Sequence, residues 1–483
     1  MLASLNKERI LVFVMIISLL SCSCSGTGGT SSSSPVPNTS SSVGESTTAG
    51  IADQSTTVGG VASGGTTLSP TDKGTTTAGK TPDKTNGSGT EQATQKTSNK
   101  TVRVTTSFTP SFPVRDAFTK ALLDSSVVEQ GNRVRIANVM RRAMNGEEIT
   151  IGVFGGSITE GAGASSVGNC YGSLVADWWR KAFPQAKVNF VRAGIGATDS
   201  LFGLTRMEDE LLAYDPDFMV VEFACNDDGS VASQEAYEGV VRRLLKKDIA
   251  VLLLFMSTSS YTNVQDQHIP VGKNYDLPMV SFRDAMKYMQ SEPLRYGKKT
   301  VKDYLADDVH PNDAGHKMAA DLVGWQLEKI YLSLNSIGKT APALQAAVTK
   351  NRLENAVLFN ASSKPAEADG WSVQTCSAFR SWKGWSPSRA GATLKIESNC
   401  SIISMFFVKQ GGNVGGRAKV YVDGKAVATL EGDMPNTAGA VTATQVVFNE
   451  TVAKDHTIEI VFLSEHNSNS AGSAFTLFRV LTD

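Results

Sequence analysis

Between residues 149 and about 334, short runs of continuous apolar residues alternate with stretches of helical periodicity. That alternation limits the possible folds more than any other feature of the chain. The runs at 149–154, 188–193, 218–223 and 250–256 are apolar almost throughout, as strands are when helices cover both faces of their sheet. The segments 171–182, 203–213, 233–247, 280–290 and 311–334 instead space their apolar residues three and four apart. Strands alternating with helices predict a parallel, three-layer α/β/α sheet. One more helix is expected over 131–145, where Val134, Ile136, Ala137, Val139, Met140 and Ala143 share a face, with Asn132 as its cap and Gly146 as its stop. In such a sheet, functional groups gather beyond the carboxyl ends of the strands.

Three of those ends carry distinctive residues. The first strand runs into Gly155-Gly156-Ser157-Ile158-Thr159, a serine on a glycine-rich turn. The second ends at Gly194, within Arg192-Ala193-Gly194-Ile195-Gly196. The third ends at Asn226, within Ala224-Cys225-Asn226-Asp227. Far downstream lies Asp307-Asp308-Val309-His310-Pro311-Asn312, just before the last helix. A serine hydroxyl is a weak nucleophile until a base takes its proton. His310 is the candidate base, and Asp307, three residues earlier, is placed to orient its imidazole. Asp308 is the competing carboxylate and His316 the competing histidine; inside a helical run, His316 is better read as surface or packing. Donors for a developing oxyanion are the backbone N–H of Ser157, that of Gly194 and the side-chain amide of Asn226. Arg206 is a candidate for substrate binding, with a surface helix arginine as the plain alternative. Asp227 is another candidate, or it orders the Asn226 loop or is simply solvated.

The flanks are different in kind. Lys7 and Arg9 precede an apolar run over 10–20 that ends in Leu19-Leu20-Ser21-Cys22. This is the pattern of an export signal, and it resembles a bacterial lipobox with Cys22 as the lipidated residue; a secreted protein cut nearby is the alternative. Residues 23–100 are Ser, Thr and Gly with few apolar side chains, a composition that cannot offset its ordering entropy, and they read as a flexible tether. After about residue 346 the pattern turns to short β runs: 401–408, 444–448, 457–463, 475–480 and a hairpin over 420–427 around Asp423-Gly424. These predict a jelly-roll-like sandwich. The organisation expected is therefore 1–22 signal, 23–100 linker, 101–345 α/β domain and 346–483 β-sandwich domain.

With 46 Lys+Arg against 47 Asp+Glu in 483 residues, no basic excess points to a nucleic-acid partner. No Cys/His set has zinc spacing. Outside the cytoplasm disulfides are possible; Cys376 and Cys400 share the C-terminal region and can pair, whereas Cys170 and Cys225 read equally well as buried thiols.

Taken together, the strand-end residues identify a resemblance. Over roughly residues 147–334 and the preceding helix, the chain is similar to the SGNH hydrolases, or GDSL esterase superfamily. Ser157 matches the nucleophile, Gly194 and Asn226 the second and third blocks, and Asp307 with His310 the closing Asp-x-x-His. Gly-Gly-Ser-Ile-Thr stands where many members have Gly-Asp-Ser-Leu, which resembles a subgroup of bacterial carbohydrate esterases. The resemblance implies a flavodoxin-like fold, a serine esterase mechanism and no metal or organic cofactor. Export, a polar tether and an appended β-domain favour sugar esters over lipids, so the expected activity is removal of O-acetyl groups from a xylan- or mannan-like polysaccharide. The alternatives are O-acetylated glycans of the cell's own envelope, such as peptidoglycan, and a non-catalytic glycan-binding surface protein. Contact with a membrane is expected only through a lipid at Cys22. Trp371, Phe379, Trp382 and Trp385 are either a sugar-stacking platform or sandwich core.

Overall fold

The computed structural model describes residues 110–434, 439–468 and 470–483. The signal segment, Cys22 and the tether lie outside the described residues. The first sheet has six strands: β1 (Val127–Glu129), β2 (Glu148–Gly155), β3 (Lys187–Gly194), β4 (Phe218–Glu222), β5 (Ala250–Phe255) and β6 (Met279–Ser281). Their spatial order is β1-β6-β5-β4-β2-β3. All neighbours are parallel except β1, which runs antiparallel to β6 at one edge. β2 is followed by β3 on one side and by β4 on the other, so the chain reverses direction across the sheet at β2. The crevice beyond the ends of β2 and β4 is therefore the place where a doubly wound sheet leaves room for a ligand.

Side chains alternate across the sheet with the period of two that strands impose. Ile149, Ile151 and Val153 of β2, with Phe218 and Val220 of β4, enter one core. Phe154, Met219 and Val221 enter another on the opposite face. Helices α1 (Ala117–Ser125), α2 (Val134–Met144), α4 (Tyr171–Ala182), α8 (Phe282–Ser291) and α9 (Asp313–Leu332) supply residues to the first core. Helices α5 (Ser200–Glu210), α6 (Val231–Lys246) and α7 (Gln265–Asn274) supply the second. The four-residue α3 (Ser157–Glu160) sits at the end of β2.

Most expected elements form within a few residues of their predicted bounds. Asn132, expected as the cap of α2, lies one residue before it: the N-cap is Arg133, without a side-chain cap bond, and Asn132 Oδ1 accepts from Val134 N–H at 3.0 Å. The predicted 280–290 helix starts at Phe282 because Met279–Ser281 extend the sheet instead, and Ser281 caps the helix through Asp284 N–H. Helix α7, which contains Pro270, has no counterpart among the expected elements.

The strands of the C-terminal region all pair antiparallel, with two isolated parallel bridges, Gln410 with Asp433 and Gly415 with Ala474. Its strands are β7 (Val357–Asn360), β8 (Glu367–Asp369), β9 (Trp371–Cys376), β10 (Trp382–Pro387), β11 (Thr393–Gln410), β12 (Arg417–Val422), β13 (Lys425–Glu431), β14 (Ala440–Phe462) and β15 (Leu477–Thr482). The main path is β13-β12-β14-β11-β15-β10-β9, with β7 on β15 and β8 on β11. The long partners β11 and β14 form one ribbon interrupted where Cys400 pairs Lys454 but Ile402 pairs Asn449. The extra residues on β14 there are a bulge of the kind that bends a strand. One half of the ribbon pairs with β8 and β12, the other with β15. The hairpin over 420–427 forms as expected, with Asp423 and Gly424 both left-handed (φ 51° and 75°).

The two regions share a core. Phe379, Ile402, Phe406, Val408, Phe478 and Leu481 pack into the same cluster as Leu201, Phe202 and Val240. Trp382 stacks on Phe202 with centroids 6.0 Å apart, and the Arg479 guanidinium lies over Trp382 and donates to Thr205 Oγ1 at 2.8 Å. Of the two readings of the aromatic group, the core reading holds: Trp371 and Trp385 are sandwich core, Phe379 is in the shared core and the partly buried Trp382 packs against it. The proposed Cys376–Cys400 pair is corrected. Both are buried free thiols, one in the shared core and the other in the sandwich's own.

Arg352 fastens the two regions electrostatically. Its guanidinium makes two 3.0 Å bonds to the fully buried Glu235 carboxylate on α6 and also donates to Ser401 Oγ, Asn449 Oδ1 and Glu450 O on the ribbon. Removing one partner of such a pair strands a buried charge, which costs about 3–5 kcal/mol. Arg352→Ala is expected to lower unfolding stability by about that amount, with wild type and variant each unfolding in one transition in urea. A variant within 1 kcal/mol of wild type would contradict the assignment.

Candidate active site

Ser157 is the first residue of α3, immediately after Gly156 ends the extended backbone of β2. Its Oγ lies 2.9 Å from His310 Nε2. His310 Nδ1 lies 2.7 Å from Asp307 Oδ2. The other carboxylate oxygen, Asp307 Oδ1, accepts from the backbone N–H groups of Val309 and His310, each at 2.7 Å. Burial works to raise the Asp307 carboxyl, but the bonds from His310 and Val309 outweigh it and hold the group below its ordinary value. An ionised Asp307 fixes the proton on Nδ1 and leaves Nε2 facing the serine as an acceptor.

The loop that carries His310 is pinned at both ends. Leu305 and Pro311 form an isolated bridge, Ala306 N–H donates to His310 O, and Asn312 caps α9 through Gly315 N–H. Asp308, the competing carboxylate, is tied instead to Ser259, whose N–H and hydroxyl donate to its O and Oδ1. His316 is buried: its Nδ1 accepts from Tyr171 N–H at 3.3 Å and its Nε2 faces Ala162 O at 3.0 Å. The geometry therefore brings Ser157, His310 and Asp307 together and excludes both competitors.

Gly194 and Asn226 meet the nucleophile turn at close range. A Cβ on Gly156 would stand 2.2 Å from Asn226 Oδ1, and one on Gly194 would stand 2.1 Å from the backbone nitrogen of Glu160. Only glycine allows these approaches. They place the ends of β2, β3 and β4 within one cluster around Ser157.

Arg206 and Asp227 do not belong to the substrate-binding surface, contrary to their place among its candidates. Arg206 is fully buried. It donates to Gly155 O at 2.7 Å, to Ala193 O at 3.0 Å and to Glu210 Oε2 at 2.8 Å, and it lies over the Phe154 ring. Burial pulls its pKa down to about 10 against the opposing pull of Glu210. It binds the ends of the strands that carry Ser157 and Gly194, with no face left for a ligand. The Asp227 carboxylate is equally enclosed, accepting from Ser200 N–H at 2.7 Å and facing His268 Nε2 at 2.9 Å. It orders the Asn226 loop, as the sequence allowed.

Two residues near the site had no sequence signal. Glu160, one turn after Ser157, accepts from Gly196 N–H at 2.7 Å and forms an ion pair with Arg380 of the C-terminal region. Beneath the turn, Thr159 Oγ1 bonds the Tyr171 hydroxyl at 2.8 Å and donates to Glu222 at 3.1 Å.

The profile of the GDSL-like Lipase/Acylhydrolase family matches residues 153–318, a span that contains all five strand-end and loop residues above. A solved two-domain esterase active on acetylated mannans, co-crystallised with mannopentaose, is 30% identical, with a TM-score of 0.67 over 74% of this chain and 97% of its own. A second structure of a two-domain esterase active on acetylated mannans gives 30% identity and a TM-score of 0.68, covering 74% and 98%. The chain belongs to the GDSL-like, or SGNH, hydrolase family. It is a carboxylic ester hydrolase, and the similarity to both two-domain esterases covers more of the chain than the α/β region alone. No curated protein matches it in sequence.

Burial pushes the Glu222 carboxyl up to about 8, with the Asp227 charge adding to the rise and the Thr159 hydroxyl opposing it. A carboxyl raised in the folded state binds its proton more tightly there than in the unfolded chain. Between the ordinary carboxylate range and about pH 8 the native state holds that proton alone, so stability falls as pH rises through this window. Glu222→Gln is expected to flatten the fall, measured by thermal unfolding from pH 5 to 9 (about the window above). An unchanged slope would show that Glu222 is ionised in the native protein.

Proposed function

We propose that this SGNH hydrolase removes O-acetyl groups from a neutral polysaccharide of the mannan or xylan type. The observation that carries the proposal is the continuous chain Ser157 Oγ, His310 Nε2, His310 Nδ1, Asp307 Oδ2, at 2.9 and 2.7 Å, in a chain 30% identical to an esterase active on acetylated mannans over nearly all of that protein.

In the reaction so proposed, Ser157 Oγ attacks the acetyl carbonyl as its proton passes to His310 Nε2. Negative charge then develops on the carbonyl oxygen. The Ser157 N–H, the Gly194 N–H and the Asn226 amide are the donors assigned to it, each adding stabilisation that exists chiefly in the transition state. The imidazolium, stabilised by ionised Asp307, gives its proton to the departing sugar oxygen, and the deacetylated glycan leaves. Water enters, His310 takes one of its protons, and the hydroxide equivalent adds to the acetyl-enzyme. Collapse of that intermediate releases acetate and returns the proton to Ser157. Every group required is a side chain or backbone N–H of this chain.

Export and anchoring through Cys22, with residues 23–100 as the tether, suit a polymeric substrate outside the membrane and are part of the same proposal. The same tether suits O-acetylated peptidoglycan, so the polymer panel decides between the two.

The test is acetate release by residues 101–483 from acetylated glucomannan, acetylated xylan and O-acetylated peptidoglycan, with 4-nitrophenyl acetate as the generic ester. Ser157→Ala is expected to abolish release from all of them. Asp307→Asn is expected to lower kcat by about 10⁴-fold, because the amide stabilises the wrong imidazole tautomer. Release from the generic ester but from no polysaccharide would overturn the glycan assignment; release by Ser157→Ala would overturn the nucleophile.

A further inference from the structure

A groove of about 540 Å³ lies along β3, the edge strand of the parallel sheet. β3 runs through it from Asn189 to Gly194, and Thr150, Asp209, Glu210, Tyr214 and Arg380 complete the lining; its inner end is the one at Gly194. The inner end adjoins the nucleophile turn directly. Gly194 lies against the backbone of Glu160, and Glu160 holds Arg380. Six residues of strand, Asn189 to Gly194, line it, a span of about 20 Å at the rise of an extended chain. The groove is therefore long enough for several sugar units and begins beside the turn that carries Ser157.

We infer that this groove binds the polysaccharide backbone next to the sugar being deacetylated, and this rests on the deacetylase function proposed above. Three observations define the ligand. Arg380 stands against Asp209 and Glu210, while the Arg192 guanidinium faces Cys170 Sγ at 3.6 Å, so the groove has no net attraction for an anionic polymer. Its lining is rich in hydrogen-bonding groups, as a polyol requires. Tyr214, also in the lining, is 58% exposed, an aromatic face with a polar tip and few rotamers to lose, the kind of side chain that gives contact area at small entropic cost. The groove thus sets polymer preference without touching the reacting ester, which distinguishes it from the Ser157 cluster.

The test compares wild type with Tyr214→Ala, Tyr214→Phe and Asp209→Ala on acetylated glucomannan and on 4-nitrophenyl acetate. The readout is the ratio of the two kcat/KM values, which does not depend on the fraction of folded protein. Tyr214→Ala is expected to lower the ratio about tenfold, through KM for the polymer, and Asp209→Ala to lower it in the same direction. Tyr214→Phe keeps the ring and is expected to retain most of the ratio. An unchanged ratio in Tyr214→Ala and Asp209→Ala would overturn the groove while leaving the deacetylase intact. A wild type that hydrolyses 4-nitrophenyl acetate but no polymer would overturn the deacetylase function first, and the groove with it.

Discussion

The buried guanidinium of Arg206 holds the site in register. It donates to Gly155 O, the last carbonyl of β2, and to Ala193 O, the next to last of β3, the strands that deliver Ser157 and Gly194. Strand ends are where ladder bonding stops, and a carbonyl left unpaired in the interior costs as much as a lost hydrogen bond. One planar, charged fork bonds both strand ends together, adding to the Ile195 N–H that also reaches Gly155 O at 3.3 Å. The close approach of Gly194 to Glu160 and of Gly156 to Asn226 depends on the spacing of those ends. The charge is tolerable in the interior because Glu210 lies 2.8 Å away and the Phe154 ring lies beneath it.

The C-terminal region completes this arrangement. Residues 200–207 of α5 are all buried, because the sheet covers one face of the helix and the β region covers the other. The ion pair of Glu160 with Arg380 and the aromatic stack of Phe202 on Trp382 are two points of the same contact. The β region therefore forms one wall of the structure around the nucleophile turn.

What the sequence made legible follows the range of the interactions involved. The parallel sheet could be read because β4 and β5 are buried on both faces and so consist of apolar runs, with Glu222 at the end of β4 the one exception. Asp307 and His310 could be paired because they lie one tight turn apart. Arg206 was misplaced for a reason present in its own helix: Leu201, Phe202, Leu204 and Met207 surround the axis rather than share one stripe, the pattern of a helix enclosed on all sides. The ribbon β11–β14 was read as shorter pieces because residues 449–455 are exposed and mostly polar, and the backbone pairing of Asn449, Lys454 and Asp455 with β11 is not reported by side-chain periodicity. Glu160 and Arg380, 220 residues apart, had no local signal at all. The same is true of the separate cores that keep Cys376 and Cys400 apart.

The central claim is that Ser157 is the nucleophile and that His310 activates it. Covalent labelling with an active-site-directed fluorophosphonate, mapped by peptide mass spectrometry, tests this without any assumption about the natural substrate. A single adduct on Ser157 in the wild type, with labelling slowed by orders of magnitude in His310→Ala, is the result expected. An adduct on another residue, or undiminished labelling in His310→Ala, would contradict it.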